Sequence, residues 1–318
     1  MINIRGCNLE NYITVIGGAN IDIIGSPFTG LNFKDSNPGN IILALGGVAR
    51  NIAENLSRLG IELELITVLG QDSHAHEIQN SCEKLNISLN HTLIVPNESS
   101  SSYICINNQA GEMQLAISDM NIYKYISPDY LNEKLAIING GQACVLDTNI
   151  PLNSLEFIMD NVEVPIFLDT VSVEKARKIK NSIHNIHTLK PNILEAETLS
   201  NMKIRDRKDL ERASEVIIKK GVKNVFVSLG SEGVYYTNGS EKGEIPILES
   251  KAINTTGAGD SFLAALVWAY LQGFGIGRSA IAGIAAASIT VRSKSTVSEE
   301  MSVLNIENIL NNMEVKNE

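Results

Sequence analysis

The segment 254–262, NTTGAGDSF, combines residue types that can bind an anion and move a proton. It follows a strand-like segment and leads into the helix-like run FLAALVWAYLQG. Gly257, Ala258 and Gly259 would present neighbouring backbone N–H groups at a helix N-terminus, where the helix dipole favours negative charge. Asp260 comes next, and these residues alone leave two interpretations open: a carboxylate that complements the helix start, or a general base beside a phosphate.

Amide and carboxylate side chains at two other places are further candidates. Asn192 and Glu195 have the spacing of a helix N-cap with a carboxylate in the first turn. Asp22 lies at the end of the first strand-like stretch. A carboxylate there either starts a turn or accepts hydrogen bonds from two neighbouring hydroxyls of a sugar. Both interpretations of Asp22 stay open on the sequence pattern alone.

The composition excludes several classes of protein. The chain has 318 residues, of which 44% are hydrophobic and 19% charged, so collagenous, disulfide-scaffold and largely disordered classes are excluded. This length fits two average domains or one large α/β domain. A net charge of -10 argues against binding of nucleic acid, which usually needs a basic face. A small anion could still bind to backbone N–H groups at a helix start.

Two nucleotide-binding motifs are missing from the sequence. The pattern GxxxxGK[ST] does not occur, which excludes a P-loop kinase. The segment GGAN at 17–20 does not complete a GxGxxG fingerprint, so a dinucleotide site is poorly supported. His74 and His76 form a short HxH pattern, which we interpret as a solvated helix start rather than a metal pair.

Cysteine usage and hydropathy indicate the compartment. The cysteines form no CxxC pair, so we expect free thiols in a reducing, cytoplasmic environment. They are Cys7, Cys82, Cys105 and Cys144. The N-terminal segment has no basic head followed by an apolar core, and every apolar run is shorter than a membrane span. We therefore expect neither a secretory signal nor a membrane contact.

Strand-like runs alternate with helix-like runs along most of the chain. The clearest runs are 13–16, 143–147, 165–169, 186–190 and 224–230. This alternation predicts a parallel sheet with helices on both faces. Ligands of such sheets bind at the carboxyl ends of the strands.

Two segments, 23–44 and 92–122, break this alternation. They contain short strand-like runs interrupted by Gly, Pro and Asn, which is typical of a small β element. We expect the two segments to pair into one lid over the carboxyl edge of the sheet. The predicted α/β core then comprises residues 1–22, 45–91 and 123–318.

Three motifs together resemble the signatures of the ribokinase (PfkB) family of carbohydrate kinases. They are GGVARN at 46–51, NILE at 192–195 and TTGAGD at 255–260, in the order and at the separations of that family. The resemblance spans residues 13–300. It implies a ribokinase-like three-layer α/β/α fold with a central, mostly parallel sheet and a small β lid. It also implies an ATP-dependent kinase that uses Mg²⁺.

A narrower resemblance concerns the lid segments. SNPG at 36–39 and DMN at 119–121, with ANID at 19–22, are similar to bacterial members of the family that act on pseudouridine. This resemblance implies phosphorylation of the 5′-hydroxyl of pseudouridine to pseudouridine 5′-phosphate. The alternatives are a kinase for ribose, another nucleoside or a hexose, and a catalytically silent nucleoside- or sugar-binding regulator. The intact Asp260 and anion hole argue against the regulator.

The resemblance assigns roles residue by residue. Asp260 is the expected catalytic base, and Gly257, Ala258 and Gly259 are expected to stabilise the transferred phosphoryl group. The expected residues on the acceptor side are Asn20, Asp22, Ser36, Asn37, Gly46, Gly47, Asn51, Ser102 and Asn149. The expected residues on the nucleotide side are Asn192, Ser228, Gly230, Gly233, Thr255, Gly257, Gly259 and Ala286.

The resemblance also assigns metal sites and partners. Asn192 and Glu195 are expected to hold Mg²⁺ through water, because Mg²⁺ keeps much of its hydration shell. Many members of the family have aspartate beside a monovalent-cation site where this chain has Asn254, so its attraction for K⁺ should be weaker. The neighbours of such a site would be Asn254, Thr256 and Ser298. Related kinases often use the lid as a dimer contact, so we expect a homodimer with pseudouridine and ATP as its ligands.

Overall fold

The computed structural model describes residues 11–248 and 252–314. The strands are β1 Tyr12–Ile16, β2 Asn20–Pro27, β3 Gly39–Gly46, β4 Glu62–Ile66, β5 Val68–Leu69, β6 Leu93–Ile94, β7 Ser102–Asn107, β8 Met113–Asp119, β9 Cys144–Asp147, β10 Ile166–Asp169, β11 Ile186–Lys190, β12 Asn224–Ser228, β13 Val234–Thr237 and β14 Lys242–Ile245. The helices are α1 Val48–Arg58, α2 Ser73–Lys84, α3 Pro128–Gly140, α4 Leu152–Asn161, α5 Val173–Ile179, α6 Ile193–Ser200, α7 Arg207–Lys219, α8 Ala258–Leu271, α9 Ile276–Val291 and α10 Val303–Glu314.

The central sheet has eight strands in the order β14-β13-β12-β11-β10-β9-β1-β4. Six neighbouring strands of this sheet, β4, β1, β9, β10, β11 and β12, are parallel to one another. The strands β13 and β14 extend the β12 edge as antiparallel strands. The sequence pattern does not reveal these two edge strands, because they are short and lie between glycine-containing turns. The expected mostly parallel α/β sheet is confirmed.

Helices cover both faces of this sheet, because its strands alternate apolar side chains between two cores. In β10, Ile166 and Leu168 point to the core formed with α3–α7, whereas Phe167 points to the core formed with α1, α2, α8 and α9. Helix α8 is buried along most of its length and α10 packs behind it. These contacts give the three-layer α/β/α architecture.

A separate sheet of four strands has the order β3-β2-β7-β8. Its strands β2 and β3 come from the first irregular segment and β7 and β8 from the second, and the parallel pairing of β2 with β7 joins the two. The pairing of β2 with β3 extends beyond residues 23 and 44, the boundaries expected for the lid. Its first pair is Asn20 with Gly46, where both strands leave the core. We call this sheet the lid sheet.

Several smaller expectations can be compared with the structure. Cys82, Cys105 and Cys144 are buried free thiols, and Cys7 lies outside the described residues. Helix α8 begins at Ala258 with Gly257 as its N-cap residue, so the motif stands at the helix N-terminus. Within residues 11–248 and 252–314, the apolar helices are all too short to cross a bilayer.

Candidate active site

The N-terminus of α8 is a glycine-rich turn with the geometry expected of an anion site, and we call it the anion-binding turn. Gly257 is its N-cap residue, with a φ of 83° and no side chain that caps the helix. A Cβ atom at this position would overlap the carbonyl oxygen of Thr296, so the turn requires glycine for both its conformation and its packing. The N–H groups of the first helical turn have no partners within a helix. The Ala258 N–H donates to the carbonyl of Thr255 at 3.4 Å, so among the described contacts the N–H groups of Gly259 and Asp260 are the ones left for a negatively charged group.

Asp260 lies in this first turn and is 9% exposed. Its Oδ2 accepts a hydrogen bond of 2.8 Å from Nδ2 of Asn51, which belongs to α1. Burial and the nearby charge of Asp169 raise the pKa of Asp260 to about 7, although Asn51 and the charge of Lys190 act in the opposite direction. A carboxyl group with this pKa can accept and release a proton near neutral pH.

Lys190 lies beneath the anion-binding turn at the end of β11. Its Nζ is 3.1 Å from Oδ2 of Asp169, and both side chains are almost completely buried. Burial alone would lower the pKa of Lys190, but the charges of Asp169, Glu195 and Asp260 outweigh this effect and hold that pKa above its ordinary value. A Cβ atom on Gly259 would come within 2.9 Å of Nζ, so the ammonium group directly underlies the backbone of the turn.

Replacing Lys190 by methionine is expected to shift the acid limb of kcat/KM toward higher pH, because the positive charge lowers the pKa of Asp260. We also expect kcat at pH 7 to fall by about tenfold or more. The measurement is the pH profile, over pH 5–9, of the ADP release that the family resemblance leads us to expect. Lys190→Arg should keep the profile close to wild type. Lys220→Met is the matched control, since Lys220 is bonded to carbonyl groups of Lys180 and Leu199. An unmoved acid limb in a folded Lys190→Met protein would contradict the prediction.

A second polar group lies at the foot of β2, beside the glycines that precede α1. Asp22 accepts a hydrogen bond of 2.6 Å from Nδ2 of Asn20, and a Cβ atom on Gly46 would lie 2.5 Å from Oδ2 of Asp22. Burial raises the pKa of Asp22 against the effects of Asn20 and Arg50. Gly47 has a φ of 95° and packs directly on the backbone of the turn between β1 and β2. The two glycines thus keep a carboxylate accessible beside the helix start.

A cavity of about 540 Å³ lies on the other side of the anion-binding turn. Its lining includes Ala258 and five of the residues expected on the nucleotide side, Ser228, Gly230, Gly233, Thr255 and Gly259, but neither Asn192 nor Gly257. Ala286 does not line it either: it is fully buried in the core between α8, α9 and α10. Ala287 and Ser288 line the cavity instead, because successive side chains of a helix point in directions about 100° apart. The remaining wall is largely apolar and suits a planar ring.

Asn192 and Glu195 form a complete capping box at the start of α6. Oε2 of Glu195 accepts hydrogen bonds from the Asn192 N–H at 2.9 Å and from Oγ1 of Thr170 at 2.6 Å, and Oε1 accepts one of 2.8 Å from Asn192 Nδ2. One acceptor position on Oε1 remains, since a carboxylate has about four. This oxygen set fits a hydrated Mg²⁺ held through water better than a directly ligated ion.

The side chains of Asn254 and Ser298, which were expected beside a monovalent cation, form hydrogen bonds with the protein backbone. Asn254 Oδ1 accepts the N–H of Thr256 at 2.9 Å, and Asn254 Nδ2 donates to the carbonyl of Lys294 at 3.2 Å. Ser298 is buried, and its Oγ accepts the N–H of Glu300 at 3.3 Å. The described contacts do not bring Ser298 together with the other two.

Three of the expected acceptor-side residues, Ser36, Asn37 and Ser102, do not share the face and end of the lid sheet that carry Asp22. Ser36 and Asn37 belong to an exposed turn at the far end of the lid sheet, where the Asn37 amide binds the backbone of Asn32. Ser102 pairs with Ile21 and therefore points to the opposite face of the lid sheet from Asp22. The side chain of Asn149 is bonded to Lys175. Tyr103 is the residue paired with Asp22, and the sequence analysis assigned it no role.

Asp147, Asp169 and Lys190 were also missed by the sequence analysis. Each is the last residue of a parallel strand, β9, β10 or β11, at the edge where α/β proteins bind ligands. That position was the available signal, because the strands themselves were predicted. The electrostatic interactions among these three side chains could not be inferred without knowing that their strands are neighbours in the sheet.

The chain is similar over nearly its whole length to known carbohydrate and nucleoside kinases. A model described as pfkB family carbohydrate kinase matches residues 10–302. The pseudouridine kinase of Escherichia coli (strain K12) is 36% identical over 310 residues, which cover 97% of this chain and 99% of that protein. A solved carbohydrate kinase from Agrobacterium tumefaciens is 30% identical, has a TM-score of 0.80 and covers 95% of this chain and 97% of its own.

A more distant solved structure supports the fold. Arabidopsis thaliana ribokinase complexed with ribose and ATP has a TM-score of 0.84 at 22% identity, with 95% of this chain and 99% of that one covered. The three-layer fold and the glycine-rich turn beside a buried aspartate define a kinase that phosphorylates a small hydroxyl compound. The chain belongs to the pfkB family of carbohydrate kinases.

Proposed function

We propose that this protein catalyses ATP-dependent phosphorylation of the 5′-hydroxyl of pseudouridine, which gives pseudouridine 5′-phosphate and ADP. The observation that carries the proposal is the hydrogen bond between Asn51 and Asp260. It joins the helix start that faces the large cavity to the glycine-rich start of α1 beside Asp22. The catalytic base therefore lies between a site for a nucleotide and a site for a sugar.

In this proposal the ionised Asp260 accepts the proton of the 5′-hydroxyl. The hydroxyl oxygen forms its bond to the γ-phosphorus of ATP while the bond from that phosphorus to the β,γ-bridging oxygen breaks, and ADP leaves with that oxygen. The N–H groups after Gly257 and the ammonium of Lys190 offset the charge of the transferred group. Mg²⁺ held through water by Asn192 and Glu195 would supply charge neutralisation at the phosphates.

The acceptor side suits a ribose ring. Asp22 is held by Asn20 at the foot of the lid sheet and can accept hydrogen bonds from two neighbouring hydroxyls. Tyr103 lies across from it on the same face of the lid sheet. Closure of that sheet over the sugar would exclude water and suppress hydrolysis of ATP.

The choice of pseudouridine rests on the sequence relatives. The E. coli pseudouridine kinase is 36% identical and an uncharacterized sugar kinase of E. coli 33%, whereas the Haemophilus influenzae ribokinase is 27% identical and the guanosine-inosine kinase of Exiguobacterium acetylicum 24%. The test is ADP release with equal concentrations of pseudouridine, uridine, guanosine, ribose and fructose 6-phosphate. We expect the highest kcat/KM with pseudouridine. A higher value with ribose or uridine would reject the substrate while leaving the kinase assignment intact.

We also propose that the protein is a homodimer that pairs through the lid sheet. Ile41, Leu43, Leu115 and Ile117 share the face opposite Asp22 and are each more than half exposed. An apolar face of this kind is typical of an interface.

Leu43→Lys is expected to convert the dimer to monomers at micromolar concentration, because a charge cannot be buried unpaired in an apolar interface. Sedimentation equilibrium measures the mass. Asn40→Lys, on the opposite face of the same strand, is the control and should leave the dimer intact. A wild-type protein that sediments as a monomer would contradict the proposal.

A further inference from the structure

The first turn of α1 has no side-chain cap of its own, because its N-cap residue is Gly47. The carboxylate of Asp147, at the end of β9, takes this place from another element. Its Oδ2 accepts hydrogen bonds from the N–H of Ala49 at 2.9 Å and from the N–H of Gly18 at 2.8 Å. Its Oδ1 accepts the N–H of Asn149 at 2.7 Å. One carboxylate therefore fastens the β1–β2 turn, the start of α1 and its own loop.

The protein accommodates this carboxylate at a cost. Asp147 is fully buried, and burial raises its pKa although the N–H donors of Gly18 and Asn149 act against that effect. Gly17 has a φ of 154°, and a Cβ atom there would lie 2.5 Å from the carboxylate carbon. Burying a carboxylate costs free energy of desolvation, and here it also requires a glycine beside it. A side chain at the N-cap position normally caps a helix without these requirements.

The helix capped in this way carries a partner of the catalytic base. Ala49 and Asn51 belong to the same turn of α1, and Asn51 Nδ2 donates to Oδ2 of Asp260 at 2.8 Å. A tilt of that turn would move Asn51 and therefore the direction of the Asp260 carboxylate. In phosphoryl transfer, misplacement of a reacting group by about 1 Å can cost about 100-fold in rate.

We propose that Asp147 is a positioning residue for the catalytic base. It holds the start of α1 so that Asn51 fixes the Asp260 carboxylate toward the acceptor hydroxyl. Three backbone N–H groups occupy its two oxygens, and it acts on catalysis through Asn51. The inference rests on the proposed role of Asp260 as general base, but it does not depend on which hydroxyl compound is the acceptor.

The first experiment is Asp147→Asn, which keeps the size of the side chain but replaces one acceptor oxygen by an N–H group. We expect kcat to fall by about 10- to 100-fold while KM for ATP and for the acceptor stays within about threefold. Glu64→Gln is the matched control: Glu64 is also buried and accepts a backbone N–H, that of His91, at 2.7 Å. It should leave kcat unchanged. A rise in the acceptor KM at constant kcat would show that Asp147 contacts the acceptor and would overturn the proposal.

The second experiment places Asp147→Asn in an Asn51→Ala background. If Asp147 acts through Asn51, it should lower kcat by less than about threefold in that background. If the losses of kcat from the two substitutions multiply as independent effects, the proposal is overturned.

Removal of the Asp147 charge should also move the acid limb of kcat/KM to lower pH, because the charges of Asp147 and Asp169 both raise the pKa of Asp260. Glu64→Gln should not move it.

Hydrogen exchange tests the role of Asp147 without any substrate. In the protein without ligands, Asp147→Asn should increase amide exchange of the 46–56 segment relative to Glu64→Gln. Unchanged exchange would overturn the proposal even if no acceptor has been identified. If Asp147→Asn does not fold, Asp147→Ser replaces it in all three measurements, because its hydroxyl oxygen can still accept one N–H.

Discussion

Asp260→Asn is expected to lower kcat by about three to four orders of magnitude while the protein still folds and binds nucleotide. The amide can keep the hydrogen bond from Asn51 but cannot accept the proton of the acceptor hydroxyl. ADP release gives kcat, and nucleotide binding in the absence of acceptor gives Kd. Near-normal turnover would reject the general-base role of Asp260 and, with it, the mechanism proposed here.

The same substitution should stabilise the protein at alkaline pH. The pKa of Asp260 is about 7 in the folded protein and 3.8 as the reference value, so the folded state holds its proton more tightly. Stability is therefore lost as pH rises from about 4 to about 7, by at most about 4 kcal/mol. Asparagine does not ionise and escapes this loss. The gain in Tm over wild type should be greatest at pH 8 and should vanish near pH 4.

Gly257→Ala is expected to lower kcat by about 10²- to 10³-fold, because it disturbs the donors that would stabilise the transferred phosphoryl group. The added methyl group would overlap the carbonyl oxygen of Thr296, and the φ of 83° disfavours any residue with a Cβ atom. The first turn of α8 must therefore move. Steady-state kinetics and thermal unfolding measure the two consequences, a loss of turnover and a loss of stability of about 1–3 kcal/mol.

The far end of the same helix supplies the control. Gly273 has a similar φ of 73°, but no atom lies within 4 Å of a Cβ atom built there. Gly273→Ala should share the conformational cost and leave kcat unchanged. If Gly273→Ala lowers kcat as much as Gly257→Ala does, the loss comes from general strain in α8 and not from the anion-binding turn.

The features that could be predicted from the sequence are those that depend on a local pattern of residues. The strands at 13–16, 165–169 and 186–190 were recognisable because apolar, β-branched runs ended in turns. The anion-binding turn was recognisable because glycines preceded an apolar helix. The short edge strands β13 and β14 were missed, since two runs of four residues carry little periodic signal.

Side-chain direction accounts for most of the remaining differences. Ser102 and Tyr103 are adjacent in sequence, and only the pairing of Tyr103 with Asp22 shows which of them shares the face of the carboxylate. A shift of one residue in register would exchange them. Ala286 and Ala287 are similarly indistinguishable until the rotation of α9 is known. The Lys190–Asp169 pair required the order of strands in the sheet, which no local pattern contains.

Asp22 lies near the point where the lid sheet leaves the core, since Asn20 is buried at the first position of β2 while Pro27 is at its far end. In the binding mode proposed above, a sugar at Asp22 would lie at this junction. If the lid sheet rotated there by about 10°, its tip, about 23 Å of strand away, would move by about 4 Å. Small differences in how an acceptor fits would therefore become large differences in closure. Discrimination among acceptors should consequently appear more in turnover than in affinity.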